Sequence, residues 1–230
     1  MNAVVTRPLQ IQVNDATRVS ALWQLPARPL ACYVFAHGAG AGMDHPFMAS
    51  MAAELAARGI ATLRYQFPYV ERGSRRPDPA ELCHSTVHAA VMMAAKLARD
   101  LPRYAGGKSF GGRMTSQAQA ASPLPGVRGL GFLGFPLHPA GRPSEARGQH
   151  LLQVHIPMLF LQGTRDELAD LSLLQTLIER LGSRATLRVF RDADHSYHVR
   201  AHAGVTDAQI RAELAQALAE WMRALSEIDQ

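Results

Sequence analysis

Short apolar runs alternate with segments whose apolar residues recur at helical spacing, and this alternation restricts the 230-residue chain to a layered α/β architecture. Ala31–Ala36 is a continuous apolar run, the pattern of a strand covered on both faces. Further strands are read at Ile60–Tyr65, Tyr104–Gly107, Val127–Phe135, Met158–Gln162 and Ala185–Phe190. Between them lies a helix capped by Asp44, carrying Met48, Met51, Ala52 and Leu55, and stopped by Gly59. Helices follow at Ala80–Arg99, from Ser109 to about Ala121, and at Leu168–Leu181. A last helix, capped by Thr206, places Ile210, Leu214, Leu218, Trp221 and Leu225 on one face. Strands alternating with helices imply right-handed crossovers and a mostly parallel sheet. Leu9–Val13 alternates apolar and polar residues, and with Val19–Leu25 it predicts an antiparallel edge. Gln66–Pro79 and Pro136–Gln149 read as loops, too short for a lid domain. One α/β domain over residues 1–230 is expected.

Composition excludes several classes. With 47% hydrophobic and 19% charged residues, the chain is too apolar for disorder. Its 24 Lys and Arg exceed 19 Asp and Glu, a net charge of +5, but the arginines are scattered. The only tight group is Arg72, Arg75 and Arg76, and no helix carries a basic stripe, so nucleic acid is not an expected partner. Cys32 and Cys83 stand in unlike contexts and make neither a disulfide framework nor a paired-cysteine zinc spacing. No apolar run reaches the roughly twenty residues of a membrane span. The expectation is a cytoplasmic protein with no membrane partner; a homodimer is left open.

Gly107-Lys-Ser-Phe-Gly111 matches G-x-S-x-G, with a strand before it and a small-residue helix after it. A sharp strand-to-helix turn lifts the Ser109 hydroxyl out of the sheet and aims a helix N-terminus at the place where negative charge develops. A serine hydroxyl needs a base, and the base needs an orienting acid. Gln162-Gly-Thr-Arg-Asp166 and Asp192-Ala-Asp-His-Ser196 each follow a strand, so Asp166 and His195 fall at carboxyl ends of strands. Asp166 is favoured as the acid because it follows its strand soonest; Asp170 and Asp192 remain alternatives. His37-Gly-Ala-Gly40 offers a backbone donor for an oxyanion hole at Ala39, with Gly38 as the near alternative, beside the N–H of Phe110.

These marks resemble the α/β-hydrolase superfamily, and within it the compact dienelactone-hydrolase-like branch. The resemblance rests on His37-Gly-Ala-Gly-Ala-Gly-Met-Asp-His45, Gly106-Gly-Lys-Ser-Phe-Gly-Gly-Arg113, Gly134-Phe-Pro-Leu-His138, Gln162-Gly-Thr-Arg-Asp166 and Asp194-His-Ser196. It implies Ser109 as nucleophile, His195 as base and Asp166 as acid. The better-known dienelactone hydrolases use a cysteine where this chain has Ser109, so their substrate does not transfer.

The expected activity is hydrolysis of carboxylic esters or thioesters with small or flexible acyl groups, through an acyl-enzyme, with no cofactor and no metal. The alternative is a catalytically silent scaffold that binds a protein partner. His37, His45 and His138 are candidate pocket residues, the first two with the alternative of shaping the glycine loop. Lys108 is expected in a salt bridge and Arg113 in a structural role. His84 with His88, and His198 with His202, have i,i+4 spacing but lack the acidic residue of a zinc motif.

Overall fold

Eight strands form one sheet in a computed structural model that describes residues 4–228, the side chains of His202 and Ile228 aside. They are β1 (Val4–Asn14), β2 (Thr17–Pro26), β3 (Ala31–Ala36), β4 (Ile60–Tyr65), β5 (Arg103–Lys108), β6 (Val127–Leu133), β7 (Met158–Gly163) and β8 (Ala185–Phe190). Their spatial order is β1-β2-β4-β3-β5-β6-β7-β8. β1 pairs antiparallel with β2, and β2 antiparallel with β4; the other pairs are parallel. The alternating first strands are thus the antiparallel edge that their pattern predicts.

Among the described residues six α-helices accompany the sheet: α1 (Pro46–Ala57), α2 (Pro68–Glu71), α3 (Ala80–Leu97), α4 (Phe110–Ala121), α5 (Leu171–Leu181) and α6 (Asp207–Ile228). The side chains of β3 divide between the two faces with period two. Tyr33 and Phe35 pack with Met48, Met51 and Leu55 of α1 and with Leu214 and Leu218 of α6. Cys32, Val34 and Ala36 face the other layer, with Val87 of α3, Met114 of α4 and Leu174 of α5. Each leucine buried this way contributes roughly 1.5–3 kcal/mol. Among the described residues no helix is long and apolar enough to cross a membrane.

From β3 the chain runs to β4 on one side, then returns through α3 to β5 on the other side of β3. Successive connections therefore diverge at the carboxyl ends of β3 and β5, and a crevice opens there.

Several boundaries differ from their sequence reading for local reasons. His45, not Asp44, caps α1: its Nδ1 accepts the Phe47 N–H at 3.2 Å, and Pro46 fills the first helical position. α5 starts at Leu171 because Asp170 accepts the N–H groups of Ser172 and Leu173 at 2.9 and 3.1 Å. β6 stops at Leu133 because Gly134 turns the chain with φ +67°. The Gln66–Pro79 loop contains α2, and the loop after β6 runs into a 3-10 helix, Ala146–Gln153. Thr206 and Gln209 exchange side-chain-to-backbone bonds at the start of α6, a capping box.

Two predictions follow from this packing. At Gly106, φ is +150°, and a Cβ would stand 1.9 Å from the Gly131 carbonyl oxygen; at Gly204, φ is +74° and the space is open. Gly204→Ala is expected to cost about 1–2 kcal/mol, and Gly106→Ala more than about 4 kcal/mol, read as urea midpoints. Equal midpoints would contradict the close approach of β5 and β6. The second concerns His150, whose Nε2 lies 2.8 Å from Ser116 Oγ on α4. Burial, then the charges of Arg113 and His84, hold it down at about 4 against an ordinary 6.5. The unfolded chain takes up this proton first, so the stability His150 contributes is present above pH 6.5 and is lost as pH falls from 6.5 to 4. His150→Gln should make the stability profile shallower across that window, where His37 still titrates, and leave its slope above pH 7 unchanged.

Candidate active site

Ser109 is the N-cap of α4 and holds φ 49° and ψ −116°, a strained conformation for a residue with a side chain. Its N–H donates to the Leu133 carbonyl at 3.0 Å. The flanking glycines allow this turn to graze β3. A Cβ at Gly107 would lie 2.3 Å from the Ala36 carbonyl oxygen, and one at Gly111 would lie 2.5 Å from that of His37. The glycines of the motif therefore answer to backbone clearance, and the serine to its exposure at the switch point.

Three strand ends converge on this hydroxyl. His195 Nε2 lies 2.8 Å from Ser109 Oγ, and His195 Nδ1 lies 2.7 Å from Asp166 Oδ2. An ionised carboxylate only accepts, so Nδ1 carries the proton and Nε2 is free to accept from the serine. The Asp166 side chain is only 1% exposed. Its Oδ2 also accepts from Gln162 Nε2 at 2.5 Å, and its Oδ1 accepts the Leu168 N–H at 2.8 Å. The loop carrying His195 is braced by Asp194, whose Oδ1 accepts the N–H groups of Ser196 and His198. Asp192 and Tyr197, at φ 60° and 63°, turn the chain on either side of it. The alternative acids are occupied elsewhere: Asp170 caps α5, and Asp192 pairs with exposed Arg191.

The glycine loop after β3 is held by His37. Its Nδ1 donates to the Gly38 carbonyl at 2.8 Å, and its Nε2 accepts the Phe67 N–H at 3.1 Å. Burial pushes its proton affinity down to about 4, so the ring is neutral. The Ala41 N–H donates to the same Gly38 carbonyl at 3.2 Å. Because the peptide is planar and trans, the Ala39 N–H points opposite to that doubly held carbonyl. Gly38 itself lies against the elbow, its Cβ position 3.9 Å from Ser109 Cβ. Phe110 opens α4, so its N–H has no partner within the helix.

Two of the three histidines expected to line the pocket do not. His37 is fully buried beneath the loop, with both ring nitrogens bonded to backbone. His138 is 3% exposed; its Nδ1 donates to the Pro139 carbonyl at 2.9 Å and its Nε2 accepts the Asp170 N–H at 2.7 Å. Both serve the loops, since a buried imidazole must have its two nitrogens satisfied. His45 does line the cleft.

Lys108 also departs from expectation. It makes no ion pair among the described residues; Nζ donates to the His195 carbonyl at 2.5 Å and sits over the rings of Tyr197 and Phe47, 5.3 and 5.9 Å from their centres. Burial brings its amine down to about 8, opposed by Asp166 and Asp194. Gly134 makes room for it: a Cβ there would stand 3.1 Å from Nζ. Sequence reading also missed a role for Gln162. A glutamine closing an apolar strand is the available signal, because a buried amide demands partners.

The cleft has two lobes that meet at Ser109, Ala39 and Leu168. One, about 370 Å³, is walled by Ala41, His45, Phe47 and Met48. The other, about 510 Å³, is walled by Pro77, Asp78, Arg113, Gln117, Pro136 and Arg147. Arg72 pairs with Asp78, and Arg75 and Arg76 are exposed, outside both lobes. The thiols of Cys32 and Cys83 are buried and pushed up to about 12. Among the described residues no group of three or more His, Cys, Asp or Glu is placed to hold a metal ion.

Comparison with known proteins agrees with this architecture. A dienelactone hydrolase from Anabaena variabilis ATCC 29413 superposes with a TM-score of 0.74 at 19% identity, over 96% of this chain and 98% of that one. A serine hydrolase homologue from Coxiella burnetii gives 0.74 at 19%, over 92% and 97%. A serine hydrolase without lid from Xanthomonas campestris gives 0.72 at 20%, over 94% of each chain. At these identities the likeness is one of fold. The family described as alpha/beta hydrolase domain matches residues 29–223 of the sequence. With most of its length inside that match, the chain belongs to the α/β-hydrolase family.

Proposed function

We propose that the protein is a serine hydrolase that cleaves carboxylic esters or thioesters of small or flexible acyl groups. The observation that carries this reading is the hydrogen-bonded line from Ser109 Oγ through His195 to Asp166, with contacts of 2.8 and 2.7 Å. Ser109 Oγ attacks the carbonyl carbon while His195 Nε2 takes its proton. The tetrahedral oxyanion is held by the N–H groups of Phe110 and Ala39. The constrained Gly38 carbonyl supports Ala39 over Gly38 as the second donor. Each such donor typically contributes a factor of about 10²–10³. Collapse breaks the carbon–oxygen or carbon–sulfur bond, and His195 passes its proton to the leaving group. Water, deprotonated by His195, then attacks the acyl-enzyme and frees Ser109.

Asp166 keeps the proton on Nδ1 throughout and steadies the imidazolium. Gln162 and the Leu168 N–H hold that carboxylate in place. The open, two-lobed cleft supports small or flexible substrates.

A fluorophosphonate probe should label wild type at Ser109 and leave Ser109→Ala unlabelled. Ser109→Ala should lose hydrolysis of p-nitrophenyl acetate. Asp166→Asn should lower kcat by about 10³–10⁴-fold, since the wrong tautomer then faces the serine. Unlabelled wild type, or wild-type turnover by Ser109→Ala, would reject the enzymatic reading in favour of a silent scaffold.

A further inference from the structure

We propose that the larger lobe binds an anionic oxygen group, carboxylate or phosphate, carried by the substrate, and that Arg113 and Arg147 hold it. As a statement about substrate it rests on the hydrolase reading; as a statement about binding it can be tested apart from it.

Both arginines border the lobe beside Ser109. Arg113 lies one helical turn beyond the nucleophile on α4, and its guanidinium sits over the Phe110 ring, 5.9 Å from the centre. The side chain therefore points back toward the helix N-terminus, where the helix dipole disfavours a cation. Its Nε is buried without a hydrogen-bond partner. Arg147, from the 3-10 helix after β6, approaches from the facing wall. Burial, and next the Arg147 charge, hold the Arg113 guanidinium below its usual value.

Among the described residues neither arginine has a carboxylate partner, although Arg58, Arg72 and Arg180 do. Asp78 also borders the lobe, but its oxygens already accept from Arg72 and from the Tyr69 N–H. Behind this wall, His84 and His150 are pushed toward the neutral form by burial, and burial holds the Cys83 thiol protonated. Two cations thus face each other at a helix N-terminus with no anion between them. For the fold alone, the like charges and the helix dipole make this arrangement unfavourable, and only the Phe110 face offsets them. An oxyanion in the lobe would relieve the repulsion, satisfy the dipole and fit the planar donor fork of arginine.

The test compares kcat/KM for three esters: neutral p-nitrophenyl butyrate, p-nitrophenyl hemiglutarate with a carboxylate on the acyl arm, and 4-(butyryloxy)phenyl phosphate with a phosphate on the leaving arm. Wild type should prefer at least one anionic ester to the neutral one. Which one identifies the arm and the anion. Arg147→Gln should lower that preference ratio by about 10-fold or more, as expected for loss of a hydrogen bond to a charged group, and Arg147→Glu should invert it. No anionic preference in wild type, or a ratio unchanged in Arg147→Gln, overturns the proposal while leaving the hydrolase reading intact. The binding arm needs no turnover: glutarate and phenyl phosphate are titrated calorimetrically into Ser109→Ala with and without Arg147→Gln. Binding by the first and weaker binding by the second supports the subsite even if Ser109 proves unreactive. Absence of binding of both ions to Ser109→Ala overturns it.

Discussion

The turn from β5 into α4 passes so close to the end of β3 that no side-chain atom fits between them. Gly107 and Gly111 face the carbonyl oxygens of Ala36 and His37 at distances a Cβ could not share. This contact places Ser109, the N-terminus of α4 and the loop after β3 in one rigid frame. The strained φ of Ser109 is held there because the Leu133 carbonyl, Gly111 and the β3 terminus together over-determine it. His195 and Asp166 then need only reach a fixed point, and each arrives from a strand further along the parallel part of the same sheet.

Around that frame, polar side chains are spent on backbone. His37 ties β3's loop to Phe67, His138 ties two loops across the α5 cap, Gln162 joins Phe135 to Asp166, and Lys108 joins the elbow to the His195 loop. These bonds explain where sequence reading succeeded and where it did not. The strands were legible because both faces of a central strand are buried, so Ala31–Ala36 reads as an apolar run. The meeting of Ser109, Asp166 and His195 was legible because strand ends in an open α/β sheet point toward one crevice. The orientation of His37 was not, because a histidine beside a glycine loop can turn toward solvent or toward the loop's own amides. Only the approach of Phe67, thirty residues away, decides between them. Helix starts failed for a similar reason. Asp44 is a good capping residue, but Pro46 fixes the first turn and leaves His45 in the capping position.

The two partly buried cations near Ser109 make a useful contrast. Lys108 is fully answered, by a carbonyl, two aromatic faces and the charges of Asp166 and Asp194. It belongs to the scaffold that carries the chemistry. Arg113 is answered only by an aromatic face and faces a second arginine. Its partner, Arg147, comes from a 3-10 helix inside a stretch that reads as a loop, so no periodicity in the sequence connects the two.

That difference in origin separates the parts of the site. The hydroxyl, carboxylate and imidazole follow the ends of β5, β7 and β8; ladders lock β5 and β7 on both sides, and β8 on the side of β7. Much of the cleft wall comes from connections, namely 39–48 after β3, Pro77 and Asp78 before α3, and Pro136 and Arg147 after β6, joined by Arg113 and Gln117 of α4. Connections can change composition without disturbing the ladders, whereas a strand end cannot move without its neighbours. A scaffold of this kind therefore keeps one reaction centre while its walls choose the substrate. In this chain one wall carries Ala41, Phe47 and Met48 beside His45, and the other carries two guanidinium groups that have no carboxylate partner among the described residues, so the two sides of Ser109 differ in chemistry.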